Sequence, residues 1–363
     1  MIQKLIGSKI KPLSRISPSQ YHSAISCPYK LVLANSFGYQ PLMPLNANAY
    51  FGSIIHKMIE LISTGVINDE QTFSENWINL IGKKEEELRG RGLAGITPLK
   101  YFVTDFALKK NQIKTILQKK QEKIKTTPKA TSNRIFSEKR LENLDKSVTG
   151  IVDLIIENDF GATILDFKTG KIYSDAIDEN GATEQIIKEE YKVQLRLYAH
   201  LYFLMNNRYP KSLYLVTLSN NYIEVNFEPA VCKALYDDAL RFLSTTNNFI
   251  SRNDLKAMAH PSVENCKYCS YRPACSFYSE WVSINFEAVN DLFGIIKKVN
   301  LFNNGSIGLE LVTNDKQVLI NGLTLEMKEK LELLVGKKIT LYNLKKTKQS
   351  LNATANSFTT VYE

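Results

Sequence analysis

Hydrophobic residues along this chain switch between a helical and a strand period, and the switches mark out its elements. Ile54, Ile55, Met58, Ile59 and Ile62 make one apolar face of a helix predicted over Phe51 to Ile62, with His56 and Glu60 together off that face. Ahead of it, Ser17-Pro18-Ser19-Gln20 reads as a capping box, Ser17 as N-cap and Gln20 reaching back, that starts a short helix running into Cys27-Pro28. From Ser74 to Lys129 the pattern is helical and polar, interrupted at Arg89-Gly90-Arg91-Gly92. Strands are expected over Arg134 to Leu141, Gly150 to Glu157 and Ala162 to Lys168, the last two joined by a turn at Asn158-Asp159-Phe160-Gly161. A helix over Lys188 to Asn206, strands at Ser212 to Ser219 and Tyr222 to Phe227, and a helix from Pro229 to Ile250 complete a mixed α/β order.

Beyond Trp281 the texture changes, with neither arginine nor cysteine to the last residue. Short alternating segments fall at Phe293 to Asn300, Ser306 to Val312, Lys316 to Ile320, Lys338 to Asn343 and Ser357 to Val361, with a helix at Thr324 to Leu334 after the third. Five strands with a helix between the third and fourth is the plan of an OB-like barrel.

Composition narrows the classes. The 363 residues are 44% hydrophobic and 23% charged, enough for a full core, and two domains are expected. Forty-six Lys and Arg against 37 Asp and Glu leave a net charge of +9, which favours polyanionic partners without choosing between nucleic acid and a membrane surface. No apolar run approaches the roughly 20 residues of a membrane span, and the apolar stretch near the start is too short for a secretory signal, so a soluble, cytoplasmic protein with no membrane partner is expected. Residues 109 to 129 hold eight lysines against the single acid Glu122, either a nucleic-acid-facing helix or an ordinary solvated one. Lys345, Lys346 and Lys348 add a second basic stretch. No Gly-x4-Gly-Lys-Ser/Thr occurs, so this chain has no recognisable P-loop, and any unwinding would come from a partner.

The candidate chemistry lies at the central hairpin. Asp166-Phe167-Lys168 ends an apolar strand, and the two-residue period sends Asp166 and Lys168 to one face and Phe167 to the core. With a two-residue turn at Asp159-Phe160, cross-strand pairs sum to 319, and Asp153 stands opposite Asp166. Like charges in that position gain from a hard divalent cation such as Mg²⁺ or Mn²⁺ between them, with Lys168 free to stabilise charge developing on a phosphate. Taken alone, the tripeptide reads rather as a surface ion pair on a strand end. Gln194-x-x-x-Tyr198 places an amide and a phenol on one helix face, suited to backbone phosphates or to steadying Lys168. His56 is a possible nitrogen ligand or a packed helix histidine, and Glu138 a possible outer carboxylate.

In order and spacing, Gly52-x-x-x-His56, Gly150-Ile151-Val152-Asp153, Asp166-Phe167-Lys168-Thr169-Gly170-Lys171 and Gln194-x-x-x-Tyr198 resemble the RecB-like branch of the PD-(D/E)XK nucleases. The resemblance runs from about Ser17 to Cys275 and departs from the commoner pattern in having Asp rather than Glu at Asp166. It implies His56, Asp153, Asp166 and the Phe167 carbonyl as metal ligands, Lys168 as catalytic lysine, and Gln194 and Tyr198 as an accessory pair. It also implies a restriction-endonuclease-like α/β core with a helical insertion at about 67–130.

The cysteines refine this. Cys266-x2-Cys269-x5-Cys275 has metal-site spacing and needs a fourth ligand, for which Cys27 and Cys232 are the candidates; Cys232 lies among apolar helix residues as an inert thiol. Spacing leaves structural zinc and iron–sulfur open. In the iron–sulfur RecB-like proteins, such as AddB-type helicase–nuclease proteins and CRISPR-associated nucleases, one cysteine precedes the nuclease motifs and three follow them. That resemblance implies a [4Fe-4S] cluster on Cys27, Cys266, Cys269 and Cys275, stapling the domain.

The expectation is therefore a nuclease domain over 1–283 and an OB-like barrel over 284–363. The activity expected is that of an Mg²⁺- or Mn²⁺-dependent deoxyribonuclease, exonucleolytic rather than endonucleolytic. It would act on single-stranded DNA or free DNA ends in repair, recombination or defence, beside a separate helicase or defence-complex subunit. The alternative is a non-cleaving iron–sulfur DNA-binding or scaffold subunit of a helicase–nuclease complex.

Overall fold

The computed structural model describes residues 2–5, 7–126, 134–177, 183–285, 288–314, 316–347 and 350–363. After a two-residue strand β1 (Ile2–Gln3), helices α1 (Pro18–Ser26) and α2 (Pro28–Ser36) abut at Cys27, and α3 (Ala47–Thr64), α4 (Glu70–Gly90) and α5 (Phe106–Thr126) follow. Ser17 is the N-cap of α1, but its side chain makes no cap bond; its hydroxyl lies 3.2 Å from that of Ser19, so the capping box does not form. Helix α3 begins earlier than the hydrophobic pattern alone indicates because Asn46 accepts the Ala49 N–H, and it ends on Gly65 in the left-handed region. Its face of Ile54, Ile55, Met58, Ile59 and Ile62 is buried, each side chain contributing about 1.5–3 kcal/mol.

A five-stranded sheet forms the centre, made of β2 (Arg134–Glu142), β3 (Thr149–Asn158), β4 (Gly161–Lys168), β7 (Ser212–Thr217) and β8 (Tyr222–Glu224) in the order β2-β3-β4-β7-β8. Neighbours are antiparallel except β4 and β7, which the crossover helix α6 (Glu189–Asn206) makes parallel. The hairpin turn lies at Asp159-Phe160, and the paired residues, Leu154 with Leu165 and Asn158 with Gly161, sum to 319 as the two-residue turn requires. On one side the sheet packs on α1, α2, α6 and α7 (Pro229–Ser251), with Ile164, Leu197 and Leu213 in that core. On the other, α3, α4 and α5 cover Leu154, Leu165, Phe167 and Val216. A small hairpin of β5 (Tyr173–Ile177) and β6 (Thr183–Ile187) leaves the end of β4 and has an almost wholly exposed second strand, so no hydrophobic alternation announces it.

Helix α8 (Val263–Lys267) and α9 (Ser276–Asn285) lead into a curled eight-stranded sheet built on β9 (Leu292–Leu301), β10 (Ile307–Thr313), β11 (Lys316–Leu323), β12 (Lys338–Tyr342), β13 (Lys345–Thr347), β14 (Ser350–Thr354) and β15 (Thr360–Tyr362). A short helix α10 (Lys328–Glu332) separates β11 from β12. Strand β9 pairs with both β10 and β12, and β14 lies parallel to β11 and antiparallel to β13. The strand expected over Ser357 to Val361 forms as β15, which joins β12 and β1 and so brings the chain's N-terminal residues to this sheet, while β14, not anticipated, is the strand beside β11. Among the described residues no helix is long and apolar enough to cross a membrane.

The Lys-rich α5 turns much of its charge inward. Lys120 donates to the Ser63 carbonyl at 3.0 Å and to that of Ile62, closing the C-terminus of α3, while Lys110 lies over the Trp77 ring and Lys114 pairs with Glu70. These contacts fasten α5 to α3 and α4, so Lys110, Lys114 and Lys120 spend their charge within the protein. Residues 127–130 of the expected insertion, with Lys129, and Lys348 lie outside the described residues. Lys346 likewise points inward, donating to the carbonyls of Val289 and Asp291.

Candidate active site

The side chains singled out at the hairpin come together at the end of β4. Alternation along β4 aims Leu165 and Phe167 at the α3 side, which leaves Asp166 and Lys168 toward α6. Lys168 Nζ lies 2.6 Å from Asp166 Oδ2 and donates to Gln194 Oε1 at 3.0 Å; Gln194 Nε2 donates in turn to Asp166 Oδ1 at 3.0 Å. One amide thus bridges the carboxylate and the ammonium. Lys168 also sits 4.4 Å from the centroid of Tyr191, three residues before Gln194 on α6. Sequence reasoning misses Tyr191, although Tyr191, Gln194 and Tyr198 form one stripe at helical spacing.

Asp153 is opposite, on β3. Its Oδ2 accepts the backbone N–H of Phe167 at 2.7 Å, and its Oδ1 is 3.3 Å from Nδ1 of His56 on α3. Burial disfavours the charged imidazole, but the hydrogen bond and charge of Asp153, with Asp166 behind, outweigh it and raise the His56 pKa. Asp166 is 4% exposed, and burial, reinforced by Asp153 and opposed by Lys168, pushes its carboxyl up to about 6. Its two oxygens are shared between Lys168 on Oδ2 and Gln194 on Oδ1, so the buried carboxylate is held by one ammonium and one amide.

Glu138 stands across β2 from this point, between the pairs Ser137 with Leu154 and Lys139 with Val152, and has a left-handed backbone with φ of 51°. Such strain in a strand is uncommon away from functional sites. Its carboxyl is raised by burial and by the negative charges of Asp153 and Glu60. Glu60, one turn beyond His56 on α3, thus belongs to the same acidic surroundings, consistent with their shared position off the apolar face.

Tyr198 is 2% exposed: its hydroxyl donates to the Ile151 carbonyl at 2.7 Å, fixing the β3 backbone, and it also interacts with Gln194, the partner of Lys168. The glycine of Gly150-Ile151-Val152-Asp153 has its reason here: a Cβ at Gly150 would lie 2.7 Å from Tyr198 Cε1 and 2.8 Å from Pro18 Cδ. Gly52 of α3 is similarly close to the chain after Lys168, with Thr169 Oγ1 3.4 Å from the position of an added Cβ.

The cysteines form a separate cluster. Cys27, Cys266, Cys269 and Cys275 line one small cavity, whereas Cys232 is fully buried in the apolar core of α7. Burial pushes Cys266 up to about 11 and Cys275 up to about 12, and the four sulfurs are close enough to influence one another. The Tyr278 N–H donates to Cys275 Sγ at 3.4 Å. Arg272 braces the loop through the carbonyls of Cys266, Lys267 and Cys269 at 2.7, 2.9 and 3.1 Å. Among the described residues no three His, Cys, Asp or Glu side chains already stand as a closed metal cage, here or at the hairpin.

Residues 15–276 match the PD-(D/E)XK nuclease superfamily. An ATP-dependent helicase/nuclease subunit from Listeria innocua serovar 6a is 30% identical over 124 residues, which cover 32% of this chain and 10% of that protein. Its counterpart in Listeria monocytogenes serotype 4a is 33% identical over 76 residues, 21% of this chain and 6% of that protein. The match thus spans a small part of those relatives' own length. A crystal structure from Eubacterium rectale, described as that of a candidate exonuclease, superposes with a TM-score of 0.40 at 10% identity, covering 65% of this chain and 82% of that one.

Proposed function

Since the chain belongs to the PD-(D/E)XK nuclease superfamily, we propose that Asp153, Asp166 and Lys168 are the centre at which it hydrolyses phosphodiester bonds of DNA. The observation that carries this reading is the buried Asp166 carboxylate, drawn up in pKa, paired with Lys168 at 2.6 Å and bridged to it by Gln194, with Asp153 on the facing strand. That donor set, hard oxygens on facing strands, fits Mg²⁺ or Mn²⁺. Asp153, Asp166, the Phe167 carbonyl and His56 would hold the cation, which supplies Lewis-acid activation of water and phosphate.

Within the chain, Lys168 presents a positive charge for the phosphate as negative charge builds on it. Gln194 fixes that ammonium relative to Asp166, and Tyr191 covers its other side. Tyr198 holds β3, and so Asp153, in place. The relatives it matches in part are helicase/nuclease subunits, which supports a helicase motor as its working partner.

Two finer readings accompany this one. The pairing of β9 with β10 and β12, the parallel β11 and β14, and the helix before β12 support an OB-like barrel, a fold suited to single-stranded DNA. Four sulfurs around one cavity, with an N–H directed at Cys275, support a [4Fe-4S] cluster held by Cys27, Cys266, Cys269 and Cys275. Anaerobically purified protein should be brown and contain iron, with Cys27→Ser losing both and Cys232→Ser keeping them; stoichiometric zinc without iron would reverse that assignment.

The nuclease reading is tested on end-labelled single-stranded, blunt and flapped DNA with Mg²⁺ or Mn²⁺. Wild type should release short end fragments, the mark of exonucleolytic action, and Lys168→Ala should cut slower by a factor on the order of 10² to 10³. Protein that binds these substrates and cuts none of them would be the scaffold component instead.

A further inference from the structure

Two cavities meet at the first turn of α3, where Asn46 and Ala49 line both. The smaller, about 410 Å³, is bounded by Asn48, Lys109, Thr169 and Gly170, the last two directly following Lys168. The larger, about 630 Å³, opens between the cysteine loop and the C-terminal sheet, where Lys267, Tyr268, Lys345, Asn356 and Phe358 face it. Together they form a groove leading from the end of the catalytic strand to the second sheet. Each is within the size range of ligand sites.

The lining has one sign of charge. Among the described residues no Asp or Glu borders either cavity, in a chain with 37 acidic residues, whereas Lys109, Lys267 and Lys345 border them. Lys109 is held in place by Asn48, whose Oδ1 it meets at 3.1 Å. Tyr268 is 76% exposed beside the cysteine loop, with Lys267 Nζ 5.1 Å from its ring centroid. A large aromatic face left in water next to a cation, on a groove whose charged borders are all basic, is suited to a base with a phosphate beside it. A duplex keeps its bases stacked on one another and offers no such face.

We propose that this groove binds single-stranded nucleic acid and delivers it to the hairpin site, with Tyr268 as a stacking platform and Lys267, Lys345 and Lys109 on the backbone. This rests on the nuclease reading for its purpose but not for its test. Binding of a fluorescein-labelled oligothymidylate is measured without divalent metal by anisotropy, against a duplex of the same length. Tyr268→Ala should weaken single-strand binding about 5- to 100-fold, the range for loss of one stacked base, and leave duplex binding within about twofold. Lys345→Ala, at an exposed position, should flatten the dependence of log affinity on log salt by about 0.7, as for one lost phosphate contact. An oligomer carrying 5-iodouracil should crosslink to Tyr268.

Wild-type affinity and salt slope in both variants, or equal losses on single strand and duplex, would overturn the groove assignment. Failure of wild type to cut any DNA would remove the nuclease reading and leave the binding result intact. If wild type cuts, Tyr268→Ala should raise KM on long oligomers with kcat within about twofold; a fall in kcat at unchanged KM would count against the groove.

Discussion

Two clusters of buried charge in this molecule are built to opposite specifications. At the junction of the cysteine loop and the C-terminal sheet, Arg272 Nε donates to Asp291 Oδ2 at 2.8 Å and Nη2 to Oδ1 at 3.4 Å, with Nη2 also reaching Asn343 Oδ1 at 3.0 Å. Nη1 takes the three loop carbonyls, and Asp291 further accepts the Tyr278 hydroxyl and the Asn343 N–H. Charge and hydrogen bonds there are satisfied on both partners. At the hairpin, Asp166 has Lys168 and Gln194 on its oxygens but lies beside a second aspartate and has a raised pKa, while Glu138 opposite has a left-handed backbone. A pair of matched charges holds parts together; two carboxylates against one lysine leave negative charge that a cation can offset.

The contrast can be broken from either side. Asp166→Asn should abolish metal-dependent cleavage while moving the folding free energy, read from urea unfolding, by only about 1 kcal/mol, since the amide retains the size of the carboxyl and relieves its crowding. Arg272→Ala should do the reverse. Leaving Asp291 buried without its cation should cost about 3–5 kcal/mol of stability by the same measurement, with kcat of the protein that remains folded near wild type. A cleavage defect in Arg272→Ala larger than its stability loss explains would erase the distinction between the two clusters.

A smaller effect sharpens the boundary of the hairpin site. Tyr198→Phe removes only the hydrogen bond to the Ile151 carbonyl, and should cost about 1 kcal/mol of stability with a reduction in cleavage well below that of Lys168→Ala. Loss of cleavage as large as that of Lys168→Ala, at unchanged stability, would return Tyr198 to a direct part in the chemistry.

The hairpin is readable from sequence because its logic is local. A two-residue turn fixes register, and register with strand alternation decides that Asp166 and Lys168 share a face and that Asp153 stands across from them. The spacing of Gln194 on a helix is local in the same sense, though not its role as a bridge between Asp166 and Lys168. Tyr198 shows the limit: helical spacing put it on the right face, but only packing of α6 on β3 determined that its hydroxyl would meet a carbonyl. The lysines of α5 show it again, since their number announced charge while the neighbouring α3 and α4 determined which of them spend it internally.

What the sequence determined by itself was the order of the main helices and central strands, the hairpin register with its facing aspartates, and the spacing of three cysteines, all set by periodicity and turn chemistry over a few residues. The tertiary structure alone decided that β1 joins β15, that Arg272 finds Asp291, and that Tyr268 overlooks a groove bordered by lysines; it also brings Cys27, of the two candidates that spacing left open, into one cavity with the three later cysteines. Those contacts depend on how whole faces pack, and burial, which fixes both the cost of a charge and the direction of a side chain, belongs to no short stretch of chain.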